Sequence, residues 1–307
     1  TDSFTYKVND GTVDGNTVTV SINITAVNDA PVNTVPGGQI TSENVSLVFS
    51  AGNGNQIQLA DADAGSSSIE VTISVSNGLV TLGGTSGLSF VIGDGTNDAS
   101  MVFTGTVANI NTALTTLTYT PTLNYNGGDS LSITTKDLGN TGSGGILEDT
   151  DLVAITVTNI NNAPSVTITP ASYNVNEQVA LTLQGTGISI ADADGNPQTV
   201  TLTATGALSQ LNAAVGATGV VISSGNGTNS LVLTGTLAEL NGFFAGNNGA
   251  TLSYLYAGDV PGASETLSIS SSDGLLSNND TAVINITAVN DAPVAVADTV
   301  ITLTEGG

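Results

Sequence analysis

The chain is 307 residues long, with Lys plus Arg totalling 2, Asp plus Glu totalling 26, a net charge of −24, and no His, Cys or Trp. Without imidazole or thiol it cannot build the usual zinc sites, thiol catalysis or a Ser-His pair, and so few cations can neutralise neither nucleic-acid phosphates nor an anionic membrane surface. What such a charge attracts is a hard, oxygen-seeking cation, and Ca²⁺ leads that class.

Short alternating apolar runs recur along the chain. Val18, Val20, Ile22 and Ile24 alternate with Thr17, Thr19, Ser21 and Asn23, the period-two pattern of a half-buried strand. Val71, Ile73 and Val75 repeat it, then Val200 and Leu202, then Leu267 and Ile269. Turn residues separate these runs, among them Asn77-Gly78, Gly83-Gly84, Asn126-Gly127-Gly128 and Gly225-Asn226-Gly227. Two stretches break the pattern. Thr106 precedes Val107, Ile110 and Leu114, and Thr236 precedes Leu237, Leu240 and Phe244, each trio on one helical face. Each predicts a short helix or 3₁₀ turn across the end of a sheet sandwich. Hydrophobic residues make up 39%, enough for a core in each domain, and no run approaches the roughly eighteen apolar residues of a membrane span. The predicted class is all-β.

The chain repeats itself at about 130 residues. Met101-Val-Phe-Thr-Gly-Thr-Val-Ala-Asn-Ile110 parallels Leu231-Val-Leu-Thr-Gly-Thr-Leu-Ala-Glu-Leu240, and Leu131-Ser-Ile-Thr-Thr-Lys-Asp137 parallels Leu267-Ser-Ile-Ser-Ser-Ser-Asp273. Ala60-Asp-Ala-Asp63 parallels Ala191-Asp-Ala-Asp194. A closing strand and linker occurs as Asn23-Ile-Thr-Ala-Val-Asn-Asp-Ala-Pro31, Ile155-Thr-Val-Thr-Asn-Ile-Asn-Asn-Ala-Pro164 and Asn285-Ile-Thr-Ala-Val-Asn-Asp-Ala-Pro293. Each linker ends in proline, which stops the ladder. The expected organisation is therefore four pieces: last strands of a preceding domain over 1–30, whole repeats over 31–163 and 164–292, and the first strand of a following domain over 293–307. The sequence reads as an excerpt of a longer array.

The Asn-Asp-Ala-Pro linkers, the Asp-Ala-Asp motifs, the Thr-Gly-Thr-x-Ala segments and Leu117-Thr-Tyr-Thr-Pro121 with Asn124-Tyr-Asn-Gly127 resemble the cadherin-like repeats of giant bacterial surface proteins. Those repeats stand in tandem in biofilm adhesins and repeats-in-toxin adhesins. The resemblance covers essentially the whole chain. It implies Greek-key Ig/cadherin-like β-sandwiches in an extended string, an extracellular or cell-surface location on a bacterium, and Ca²⁺ bound between domains. Its first junction would use Asn28, Asp29, Asp61, Asp63 and Asp137. The second would use Glu43, Asn161, Asn162, Asp192, Asp194 and Asp273, and the third Glu177, Asn290 and Asp291. Asn161-Asn162 lacks the acid that the other linkers carry, so the second junction is expected to bind Ca²⁺ more weakly unless Glu148, Asp149 or Asp151 reaches it. Asp94, Asp98, Asp129, Glu239 and Glu265 read as solvated faces.

The functional expectation is a calcium-stiffened structural segment of a very large surface protein, a stalk or filament for adhesion or biofilm matrix. Its partners would be neighbouring repeats of the same chain or other copies head to tail. A module binding carbohydrate, peptide or ice is the alternative, which an exposed aromatic cluster or a flat Thr array would favour. An enzyme is not expected: no nucleophile–base pair is present, and nothing marks a cleft between paired carboxylates.

Overall fold

Alternation along the sequence becomes one buried face per strand, because successive side chains on a strand point to opposite sides. The computed structural model describes residues 1–290 and Ala292; the predicted strand over 293–307, and Asp291, lie outside the described residues. The chain divides into two compact units, Thr1–Ile160 and the residues from Asn161 onward.

In the first unit, β1 (Asp2–Tyr6) and β2 (Val18–Ile22) form a hairpin. Eleven strands follow: β3 (Val32–Thr34), β4 (Gln39–Ser42), β5 (Leu47–Phe49), β6 (Gln58–Ala60), β7 (Ser68–Ser74), β8 (Gly78–Thr81), β9 (Ser89–Ile92), β10 (Ser100–Thr106), β11 (Leu117–Pro121), β12 (Gly127–Lys136) and β13 (Glu148–Thr158), with helix α1 (Val107–Leu114) after β10. A six-stranded sheet ordered β4-β13-β12-β7-β10-β9 faces a three-stranded sheet β5-β11-β8, and β3 pairs with β6. The first strand of the large sheet, β4, runs parallel to the last, β13; the remaining pairs are antiparallel. Ile69, Val71 and Ile73 on β7 and Leu131 and Ile133 on β12 are fully buried against Phe49, Val80 and Tyr119 of the opposite sheet.

The second unit repeats the plan. It comprises β14 (Ser165–Thr167), β15 (Ser172–Asn176), β16 (Leu181–Thr182), β17 (Ser189–Ala191), β18 (Gln198–Ala204), β19 (Ser209–Ala214), β20 (Val221–Ser224), β21 (Ser230–Gly235), helix α2 (Leu237–Phe244), β22 (Thr251–Tyr256), β23 (Ser264–Ser272) and β24 (Ser277–Thr287). The sheets are β15-β24-β23-β18-β21-β20 and β16-β22-β19, with β15 again parallel to β24. The class is the expected one, all-β, with a two-layered sandwich and one short α-helix in each unit.

Both helices begin where a threonine side chain can accept an orphan N–H. Thr106 Oγ1 accepts from Asn109 N, and Thr236 Oγ1 from Glu239 N while the Glu239 carboxylate accepts from Thr236 N, a complete capping box. Ile110 and Leu114, and their counterparts Leu240 and Phe244, then seat in the cores.

Two expectations need correction. The hairpin β1–β2 forms, but the described residues place no second layer over its apolar face. Phe4 stays 53% exposed and Tyr6 51%. Nor are Asp129 and Glu265 solvated faces. Tyr119 Oη donates to Asp129 Oδ2 at 2.9 Å, and Tyr254 Oη to Glu265 Oε2 at 2.8 Å. Burial and the adjacent carboxylate push both tyrosine hydroxyls well above their ordinary value, so they remain donors. Each sandwich thus holds one buried tyrosine by a carboxylate at the start of its penultimate strand. Glu239 likewise serves its cap, and Asp98 accepts the N–H groups of Asp94 and Gly95.

No described helix is long and apolar enough to cross a membrane.

Candidate cation-binding linkers

In the first unit the linker is gripped by the loop between β12 and β13. Val27 forms a parallel bridge with Ser143; Asn28 N donates to Ser143 O at 3.1 Å and Ser143 N to Ala26 O at 3.0 Å. Gly142, at φ +84°, makes this approach possible, since a Cβ there would lie 2.6 Å from the Val27 carbonyl carbon. The grip buries Asn28 to 6% exposure. Its Nδ2 donates to Asp137 Oδ2 at 2.5 Å and to Gly145 O at 2.8 Å. Asp29 N donates to Asp63 Oδ2 at 3.0 Å, and Asp61 Oδ1 accepts from the N–H groups of Asp63 and Ala64. Asn28 and Asp137 are thus hydrogen-bonded to one another, and Asp29, Asp63 and Asp61 form a second chain of hydrogen bonds that starts at the next residue of the linker.

The electrostatics of these groups are uneven. Burial and the neighbouring Asp63 carboxylate push the Asp61 carboxyl up, against the N–H groups of Asp63 and Ala64. Burial alone would also raise Asp137. The N–H groups of Leu147 and Gly139 and the Asn28 amide outweigh it and hold Asp137 below the usual carboxylate range.

That shift predicts an acid limb. A carboxyl whose folded value is depressed contributes stability fully above its unfolded value of 3.8, and the contribution fades as pH falls through the lower folded value. Asp137→Asn should cost about 2 kcal/mol at pH 7, because its one remaining oxygen can serve the Gly139 and Leu147 N–H groups only by turning its NH₂ against the Asn28 amide donor. The gap to wild type should begin to narrow below about pH 4, where Asp137 of the unfolded chain protonates, and close as pH falls through the lower folded value. Urea unfolding in EDTA across a pH series measures both; a gap that widens on acidification contradicts the assignment.

The second unit builds the same arrangement. Asn161 Nδ2 donates to Asp273 Oδ2 at 2.8 Å, Asn162 N to Asp194 Oδ2 at 2.6 Å, and Asp194 N to Asp192 Oδ1 at 2.9 Å. The N–H groups of Leu276 and Leu275 and the Asn161 amide lower Asp273, as the corresponding donors lower Asp137. Glu148 and Asp149 are engaged within the first unit: Glu148 Oε2 lies 3.9 Å from Lys136 Nζ, and Asp149 Oδ2 accepts from Asn33 N at 2.7 Å.

Glu43 and Glu177 follow β4 and β15 directly, each beside the end of its unit's last strand. Glu43 N donates to Thr158 O and Glu177 N to Thr287 O. Both are buried, at 0% and 2% exposure. Glu177 Oε1 accepts from Val289 N at 2.7 Å. Neither Lys7 nor Lys136 serves them, being paired with Asp14 and with Glu70 and Glu148. Asn290 is exposed.

Among the described residues no three His, Cys, Asp or Glu side chains converge tightly enough to hold a metal by themselves. Among the described residues the buried side-chain atoms left without a hydrogen-bond partner are Asn28 Oδ1, Asp61 Oδ2 and Glu177 Oε2. Each is an oxygen acceptor, and each belongs to the predicted ligand set. A buried oxygen without a donor is costly, whereas a hard cation would satisfy it. In this respect the residues fit Ca²⁺.

Two participants were not read from the sequence. One is the glycine-rich loop Gly139–Gly145, which grips the first linker; its signal is length, since Asp137 to Leu147 encloses ten residues' travel where Asp273 to Leu276 turns in three. The other is Asn33, which takes a hydrogen bond from the buried Thr135 hydroxyl at 2.6 Å behind that linker.

No protein-family model matches the chain, and no curated protein does. Among solved structures it is similar to the human mucin-like protocadherin EC1-2 at 13% identity, covering 84% of this chain and 99% of that one, TM-score 0.32. Drosophila N-cadherin EC1-4 shares 12% identity over 93% of this chain and 57% of that one, TM-score 0.25. Domains 4 and 5 of the S-layer protein SbsC share 12% over 55% and 69%, TM-score 0.25. At such distances the likenesses say nothing of ligand or activity.

Proposed function

We propose that the chain is a calcium-stiffened structural segment of a very large extracellular or cell-surface protein, bacterial in origin, serving as stalk or filament in adhesion or matrix formation. The observation that carries this reading is the chemistry of the unpartnered atoms: buried, acceptor-only oxygens at the linkers of a chain with a net charge of −24 and two basic residues. Asn28, Asp61, Asp63 and Asp137 would hold the ion at the first linker, with Asp29 beside them. Asn161, Asp192, Asp194 and Asp273 would do so at the second, and Glu43 and Glu177 would contribute from the strand ends. Backbone carbonyls and water complete the six to eight oxygens that Ca²⁺ takes, so three clustered acids are not required.

Bound calcium supplies positive charge and shared ligation, and the rest is the work of the chain's own residues. Two carboxylates about 4 Å apart repel by roughly 4 kcal/mol at an effective dielectric of 20. Without a cation that repulsion loosens the linker. The Asn28–Asp137 and Asp29–Asp63 hydrogen bonds keep the oxygens assembled, and the grip of Ser143 on Val27 and Asn28 buries the Asn28 side chain. Neighbouring repeats, or further copies head to tail, are the partners this role needs.

Small-angle scattering tests it. At millimolar Ca²⁺ the wild-type chain should show a longer maximum dimension than in EDTA, and Asp61→Ala with Asp63→Ala should shorten it while circular dichroism stays that of folded sandwiches. An identical maximum dimension with Ca²⁺ and with EDTA would sink the proposal.

A further inference from the structure

The two linkers follow one plan but differ in what faces two of their oxygens. In the first, Asn28 Oδ1 and Asp61 Oδ2 are buried without a partner. In the second, the corresponding atoms are occupied. Asn161 Oδ1 accepts from Asn196 Nδ2 at 3.3 Å, and Asp192 Oδ2 accepts from Gln198 Nε2 at 2.6 Å. The sequences part at this point: Asp63 is followed by Ala64-Gly-Ser-Ser67, and Asp194 by Gly195-Asn-Pro-Gln198. In sheet register the buried Ile69, opposite Gly105, stands where Gln198 stands opposite Gly235, so the first unit carries an apolar side chain in place of that primary amide.

The amides are locked in orientation. Gln198 is 2% exposed. Its Oε1 accepts from Ser271 Oγ at 2.8 Å, and its Nε2 donates also to Asn196 O at 3.0 Å, so turning its oxygen towards Asp192 would set oxygen against oxygen at both Asp192 and Asn196. Asn161 is fixed from the other side, since its Nδ2 serves Asp273, a carboxylate that only accepts. Ser271 corresponds to Thr135 of the first unit, whose hydroxyl turns instead to Asn33.

We infer that the second linker is closed by an amide latch, Asn196 and Gln198 occupying the oxygens that at the first linker await a divalent cation. The inference rests on the calcium reading above and deepens it. Calcium at the second linker must first displace two amide hydrogen bonds, one of them to a carboxylate, and finds Asn162 where the first linker offers Asp29. It should therefore fill the first linker at a concentration at least tenfold lower. One linker responds to calcium and the other stays closed in its absence.

The test uses the full ¹⁵N-labelled chain, freed of metal and titrated with CaCl₂. The backbone resonances of Asp63 and Ala64 report the first linker, those of Asp194 and Gly195 the second. The first pair should shift at calcium concentrations at least tenfold below the second. Gln198→Glu, similar in size but unable to donate, should bring the second midpoint to within about threefold of the first; Asn196→Ser, at a less buried position, should move it the same way. Coincident midpoints in the wild type, or a second midpoint unmoved in both variants, overturn the latch while leaving calcium binding intact. No shift at either linker overturns the calcium reading and the latch with it.

Discussion

Chelation should lower the thermal unfolding midpoint of the first unit by about 10–15 °C. A ligand bound only by the folded state, present at about a thousand times its dissociation constant, adds roughly 4 kcal/mol. For a unit of this size each kcal/mol is worth roughly 2–4 °C. The effect should concentrate in the first unit, whose linker oxygens Asn28 Oδ1 and Asp61 Oδ2 are buried without donors while those of the second linker are occupied. Scanning calorimetry in millimolar CaCl₂ and in EDTA measures it. Superimposable scans would remove calcium from the account of this chain, although the sandwich fold would stand.

Phe103→Ala should destabilise the first sandwich by about 3–5 kcal/mol and leave the second unchanged. Phe103 is fully buried on β10, its ring 5.5 Å from that of Phe90, and it belongs to a core that shares no residue with the core of the second unit. Interiors are close-packed, so the cavity would not collapse completely. In calorimetry the variant should split the unfolding into two transitions, the lower one moved by roughly 10 °C. The complementary Phe243→Ala should move the other transition. Equal shifts of both transitions in either variant would mean that the two units unfold as one.

Much of this was legible in the sequence because it is local. Period-two alternation names the buried face of a strand, so Val71, Ile73, Leu131 and Ile133 could be assigned to the core before any packing was known. Thr106 and Thr236 announce their helices because a cap acts over three residues. Asp-Ala-Asp gives its inner hydrogen bond, from Asp63 N to Asp61 and from Asp194 N to Asp192, by the same short reach. Tertiary structure alone decided what meets across long loops. Asn28 finds Asp137 from 109 residues away, and Asp129 and Glu265, indistinguishable in sequence from solvated acids, lie under Tyr119 and Tyr254 because the penultimate strand crosses beneath the smaller sheet. Alternation in β1 and β2 told which face could be buried but not whether a layer covers it, and Phe4 and Tyr6 are exposed. The two linkers diverge for the same reason: a motif fixes where its oxygens stand, but the donor that fills them is chosen by side chains that folding carries in, and Gln198 meets Asp192 with its other end held by Ser271 on the neighbouring strand.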